Sequence, residues 1–205
     1  MVTRLKYLLI GICLSLTAFG AAQSTSRQQS GMLVFDLKNY TSDAKMTKNA
    51  VKVLQYAGLR WGMLDKTLLI PMVNDKFVKA DIPYFTRFGE LKTLILEPGQ
   101  YTITCIGFEF SSTSPDIDKA LAKGAFFNND VVTFTVLPGK TTTLEISPVY
   151  EAESKWRVLV KLTMLMPNLN LRILEDGTLK DEDVAINRRT AKSVAWDDYH
   201  GPLKF

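Results

Sequence analysis

Hydrophobic and polar positions alternate through much of the chain. From Trp156 to Met166, Val158, Val160, Leu162 and Met164 share one parity, and Arg157, Lys161 and Thr163 the other. That period of two predicts a half-buried strand. Similar runs predict strands over Met32–Leu37, Thr67–Val73, Lys76–Tyr84, Leu91–Leu96, Tyr101–Phe110, Val131–Val136 and Thr141–Ile146. Asn74-Asp75 reads as a tight turn between two of these runs, and Asp176-Gly177 as a further hairpin turn. Between the strands, helical signals are few. Ser42 or Asp43 could cap a helix in which Met46, Ala50, Val53 or Leu54, and Ala57 recur at helical spacing until Gly58, although Val51–Tyr56 also fits a strand. Ser114 to Gly124, with a cap, an early proline and a terminal glycine, predicts one short helix.

Strict alternation gives each sheet one dry face, and dry faces must meet something. For seven or eight such strands the expectation is a mainly β fold, two antiparallel sheets packed face to face as a β-sandwich with one or two short helices. Two Pro-Gly pairs refine it. Pro98-Gly99 lies between the runs ending at Leu96 and beginning at Tyr101, and Pro138-Gly139 between those ending at Val136 and beginning at Thr141. L-Proline suits type I and II turns, whereas tight two-residue hairpins prefer their mirror images, so each pair is expected to form an arch from one sheet to the other.

The first 22 residues have a different character. Arg4 and Lys6 precede an apolar run from Tyr7 to Ala18, and Gly20-Ala21-Ala22 offers a cleavage site before Gln23. This is the pattern of a secretory signal peptide, and the run of about 15 residues is short for a membrane span of about 20. The expected organisation is a signal peptide over 1–22, a flexible polar leader over 23–30, a sandwich domain over 31–180 and a C-terminal tail over 181–205 that packs on the sandwich or extends from it. Cleavage would remove two positive charges and no negative one, so a formal charge of +4 becomes +2. A nearly neutral surface gives no warrant for nucleic acid as a partner and little for electrostatic membrane binding, and no stable membrane insertion is expected after cleavage. Of two cysteines, only Cys105 would remain, in phase with Tyr101 and Ile103 and therefore expected to be a buried apolar side chain rather than a disulfide partner.

Candidate chemistry is sparse. Glu175, Asp176, Asp181, Glu182 and Asp183 lack the alternating ligand spacing of a calcium loop and read as a solvated turn. His200 is the sole histidine, in Trp196-Asp197-Asp198-Tyr199-His200, and no nucleophile or zinc motif accompanies it. No catalytic residue, metal or cofactor is expected. Trp196 and Tyr199 are expected to pin the tail to the domain, and Trp196, Tyr199 and His200 are the candidate partner contacts. Arg188, Arg189 and Lys192 read as a solvated basic edge.

Over about residues 67–147 the chain resembles exported transthyretin-like or carboxypeptidase-regulatory-like β-sandwich modules. The matching pieces are Val73–Val78, Leu96-Glu-Pro98-Gly99-Gln-Tyr101-Thr-Ile103 and Val136-Leu-Pro138-Gly139-Lys-Thr-Thr-Thr-Leu144. It is also similar to bacterial envelope families built on that plan. The resemblance implies a non-catalytic module of the periplasm or outer cell envelope that binds or supports another envelope protein or a surface polymer, and it carries no active site across. Two other readings stay open: a small outer-membrane β-barrel, suggested by Tyr199, Leu203 and the terminal Phe205, and an exported enzyme with an unfamiliar site.

Overall fold

The two Pro-Gly arches organise the molecule. In a computed structural model that describes residues 29–71, 82–108, 124–157 and 160–200, twelve strands form two facing sheets. One contains β1 (Gly31–Leu37), β2 (Thr41–Ser42), β6 (Leu91–Leu96), β9 (Thr141–Arg157), β10 (Val160–Glu175) and β11 (Thr178–Ala185), with the order β11-β10-β9-β1-β6 and β2 beside β9. The other runs β12 (Val194–Ala195), β8 (Ala125–Val136), β7 (Gly99–Phe108), β4 (Thr67–Pro71), β3 (Gly58–Leu64) and β5 (Tyr84–Arg87). The expected sandwich is therefore present, and its sheets are not closed into a barrel.

Pro98-Gly99 carries the chain from β6 in the first sheet to β7 in the second, and Pro138-Gly139 carries it back from β8 to β9. At the second arch the Lys140 amide donates to the Leu137 carbonyl at 3.2 Å while Gly139 takes φ +66°, the combination of a type II turn. At the first, the Tyr101 hydroxyl donates to the Glu97 carbonyl at 2.7 Å, tying the strand back to the arch that feeds it. Crossing between sheets lets strands that become neighbours run the same way. The pairing is accordingly mixed rather than wholly antiparallel: β1 is parallel to β9, and β4 to β7.

Leu33, Phe35 and Leu37 of β1, Leu144 and Ile146 of β9, and Leu169, Leu171 and Ile173 of β10 face Trp61, Leu68, Ile70, Tyr101, Ile103, Val132, Phe134 and Val136. Phe35 and Trp61 stack across the layers at 4.2 Å, and the indole nitrogen donates to Thr86 Oγ1 at 2.9 Å. The buried Cys105 completes this core, and burial pushes its thiol pKa up. Leu69, Ile106 and Phe127 form a second cluster with Ile82, so β4 and β7 are covered on both faces. That explains why β4 reads as a continuous apolar run.

Several expected elements shift. The helix is α1 (Lys48–Leu54), capped by Thr47, whose Oγ1 accepts from the Ala50 amide at 3.2 Å. Ser42 and Asp43 are not its cap, because the helix begins only at Lys48 and Ser42 lies in β2, where its hydroxyl donates to the Tyr150 carbonyl at 3.0 Å. β3 follows from Gly58, in a stretch for which the sequence predicts no element, and turns into β4 through Asp65 and Lys66, both at positive φ. β8 begins at Ala125 rather than Val131. The run from Trp156 to Met166 is two strands instead of one, since Arg157 pairs with Val160. Asp176-Gly177 is the expected hairpin turn, both residues at positive φ. The Asn74-Asp75 turn and most of the Ser114–Gly124 helix lie outside the described residues.

Candidate interaction surface

Among the described residues the longest pairing is the β9–β10 hairpin, in register from Thr142 with Glu175 to Arg157 with Val160. Its first half belongs to the sandwich. There β1 pairs with β9 as far as Ile146, β2 pairs with it at Val149 and Tyr150, and β11 pairs with β10 as far as Asn170. From Glu151 to Arg157 and from Val160 to Met166, the two strands pair only with each other among the described residues. Seven strand residues span about 23 Å, the length of this two-stranded ribbon, here called the arm. Ala152, Glu153 and Ser154 are exposed along it.

The end of the sandwich is sealed where the arm leaves it. The Asn187 side chain imitates a neighbouring strand: its Oδ1 accepts from the Leu169 amide and its Nδ2 donates to the Pro167 carbonyl, each at 2.7 Å. Asn128 of β8 performs the matching task from the other sheet. Its Nδ2 donates to the carbonyls of Ile186, at 3.1 Å, and Arg188, at 2.7 Å, while its Oδ1 accepts from the Ser193 hydroxyl. Two buried amides thus hold the crossing from β11 to β12, with Ile186 fully buried between them. On the opposite side of the root, Tyr40, Phe88 and Tyr150 meet edge-on at centroid distances of 5.7 to 6.4 Å. Burial, with Tyr40 nearby, pushes the Tyr150 phenol up to about 12.

The residues singled out in the sequence do not gather into one site. Tyr199 turns inward and stacks on Phe127 at 3.7 Å with the rings nearly parallel, so it pins the tail as expected. His200 is exposed, and Trp196 begins a single 3₁₀ turn, its side chain lying outside the described residues. The tail also supplies structure: β11 continues past residue 180 to Ala185, and β12 pairs with β8. The acidic run is dispersed. Asp176 meets Lys140 at 2.6 Å, Glu175 meets Lys180 at 3.4 Å, and Asp181 to Asp183 lie exposed along β11. Of the basic cluster, Arg188 meets Glu151 at the arm root at 3.1 Å and Arg189 lies over the Phe126 ring. Among the described residues no three His, Cys, Asp or Glu side chains are placed to hold a metal.

One depression lies beside the second arch, lined by Leu137, Lys140, Thr141, Glu175, Asp176 and Lys180. Its volume of about 240 Å³ is below the range of about 300–1,000 Å³ usual for ligand sites, and its Lys140 and Asp176 charges already neutralise each other. The arm was missed in the sequence because no glycine, proline, asparagine or aspartate separates the paired Arg157 and Val160: Arg157-Val-Leu-Val160 reads as strand throughout. No family model, curated protein or solved structure matches the chain. Among the described residues no helix is long and apolar enough to cross a membrane.

Proposed function

We propose that this chain is an exported, non-catalytic accessory of the bacterial cell envelope that binds another envelope protein or a surface polymer through the β9–β10 arm. The observation that carries this reading is the arm itself. A two-stranded ribbon alone is marginally stable in water, so the length of β9 and β10 that has no further strand partner among the described residues supports a binding role for it. Export is supported by Arg4 and Lys6, the apolar run behind them and the small residues before Gln23. The resemblance of residues 67–147 to transthyretin-like modules supports the accessory role.

The register supplies a clean test. Pro167 and Leu169 direct their backbone groups to Asn187, so Met166 bonds across to Glu151, and Ala152 to Leu165 can be replaced by Asn-Gly to close the hairpin on that pair near the sandwich surface. The expected result is a folded protein, processed before Gln23 and released by osmotic shock, that no longer co-purifies with the envelope component retained by the full arm. Retention of that component by the trimmed protein, or an unprocessed cytoplasmic chain, would contradict the reading.

A further inference from the structure

The four lateral edges of the sandwich are not equally protected. β11 carries Lys180, Asp181, Glu182 and Asp183 along its exposed length, β12 has two residues, and β5 has four. β6 is different: its sequence is Leu91-Lys92-Thr93-Leu94-Ile95-Leu96, and among the described residues it bonds only to β1. Leu91 is 62% and Ile95 70% exposed. Natural sheets usually blunt such an edge with charge, proline or a bulge. The one charge available, Lys92, is drawn over the Tyr84 ring at 4.7 Å.

The hydrogen-bond phase identifies which groups this edge offers. The Leu37 amide donates to the Glu90 carbonyl across the β1–β6 ladder, whereas the amides of Met32 and Lys38 donate toward β9, to Lys140 and Ile146. Odd-numbered residues of β1 therefore bond β6, and their partners in register are Lys92, Leu94 and Leu96. Backbone groups alternate in direction along a strand, so Leu91, Thr93 and Ile95 direct their amides and carbonyls away from the sheet.

We infer that β6 pairs antiparallel with β6 of a second copy of this chain about a two-fold axis at Thr93, joining the two five-strand paths into one continuous sheet. In that register Leu91 faces Ile95 of the other copy, Thr93 faces Thr93, and Ile95 faces Leu91, so all three outward residues exchange backbone bonds. Aliphatic pairs and a threonine pair are favourable cross-strand neighbours. Lys92 falls opposite Leu94 of the second copy, and no like charges face each other within the strand. Moving the axis by one residue to Lys92 would set two ammonium groups face to face and leave one outward residue without a counterpart in the strand. The edge is thus self-complementary, as an isologous dimer requires, and it favours a second copy over an unrelated strand. A six-residue contact is small, so the dimer is weak and concentration-dependent. This surface is separate from the arm.

Sedimentation equilibrium of the full chain from about 1 to about 200 μM, a range suited to weak interfaces, tests the inference. Wild type should rise from the monomer mass toward twice that value. Ile95→Lys places a charge at an exposed position, and Thr93→Pro removes an outward amide without taking a bond from β1. Each should remain monomeric at concentrations where wild type is half dimeric, while Leu179→Lys on β11 should dimerise as wild type does. An unchanged urea midpoint for Ile95→Lys would show that its fold is intact, so the test stands even if Thr93→Pro fails to fold. A wild-type monomer throughout the range, a dimer insensitive to Ile95→Lys, or equal loss in Leu179→Lys would overturn the inference.

Discussion

Asn128 offers the sharpest view of how the tail is held. It is 4% exposed and makes three hydrogen bonds at once, two as donor and one as acceptor. In Asn128→Ala the buried Ile186 carbonyl loses its side-chain partner, a cost of about 1–3 kcal/mol, while the Arg188 carbonyl and Ser193 hydroxyl, nearer to water, contribute about 0.5–1 kcal/mol each. The expected total is about 2–5 kcal/mol. With an m-value of about 2 kcal/mol/M, a urea midpoint should fall by about 1–2.5 M with the slope unchanged. Ser193→Ala alone should cost only about 0.5–1 kcal/mol, and the double variant should lose less than the sum, since the two side chains share a bond. A loss below about 0.5 kcal/mol for Asn128→Ala, or full additivity with Ser193→Ala, would refute the clamp and leave the tail a passive covering.

Three further outcomes follow from individual contacts. Tyr101→Phe should cost about 1 kcal/mol in urea unfolding, because the Glu97 carbonyl at the first arch loses the phenol that donates to it. Gly58→Ala should cost about 1–3 kcal/mol, because a Cβ there would lie 2.1 Å from the Thr86 carbonyl oxygen and 2.7 Å from the Arg87 Cα, backbone atoms that move only if β5 leaves β3. The Tyr150 phenol has a pKa raised from 10.0 to about 12, so its contribution to stability is complete below pH 10 and is lost as pH rises toward 12. Tyr150→Phe should flatten that alkaline decline in a series of urea melts, and an unchanged pH profile would refute the assignment.

The legible parts of the fold were those with a local chemical signature. Pro98-Gly99 and Pro138-Gly139 indicated crossings between sheets because their conformational preferences conflict with tight hairpins, and the chain changes sheet at both. Asp176-Gly177 marked its turn because both residues accept positive φ. Tyr199 was legible as an anchor from its place in an otherwise polar tail. Asp65-Lys66 hid β3, since the turn is formed by two residues without the usual glycine or asparagine and its geometry comes from the pairing of Leu64 with Thr67. Trp156–Met166 concealed a chain reversal for a related reason: Val158-Leu159, between the paired Arg157 and Val160, carry no turn signal and read as strand like their neighbours. The clamp made by Asn128 and Asn187 was invisible because buried amides are defined by their partners, and those partners are backbone atoms in distant segments.

The arm reading is tested most directly by photo-cross-linking in living cells, with a photoreactive residue at Glu153 on the arm and, as a comparison, at Leu179 on β11. A discrete envelope-associated adduct from Glu153 that is absent from Leu179 is the expected result. No adduct from Glu153, or the same adduct from both positions, would contradict it.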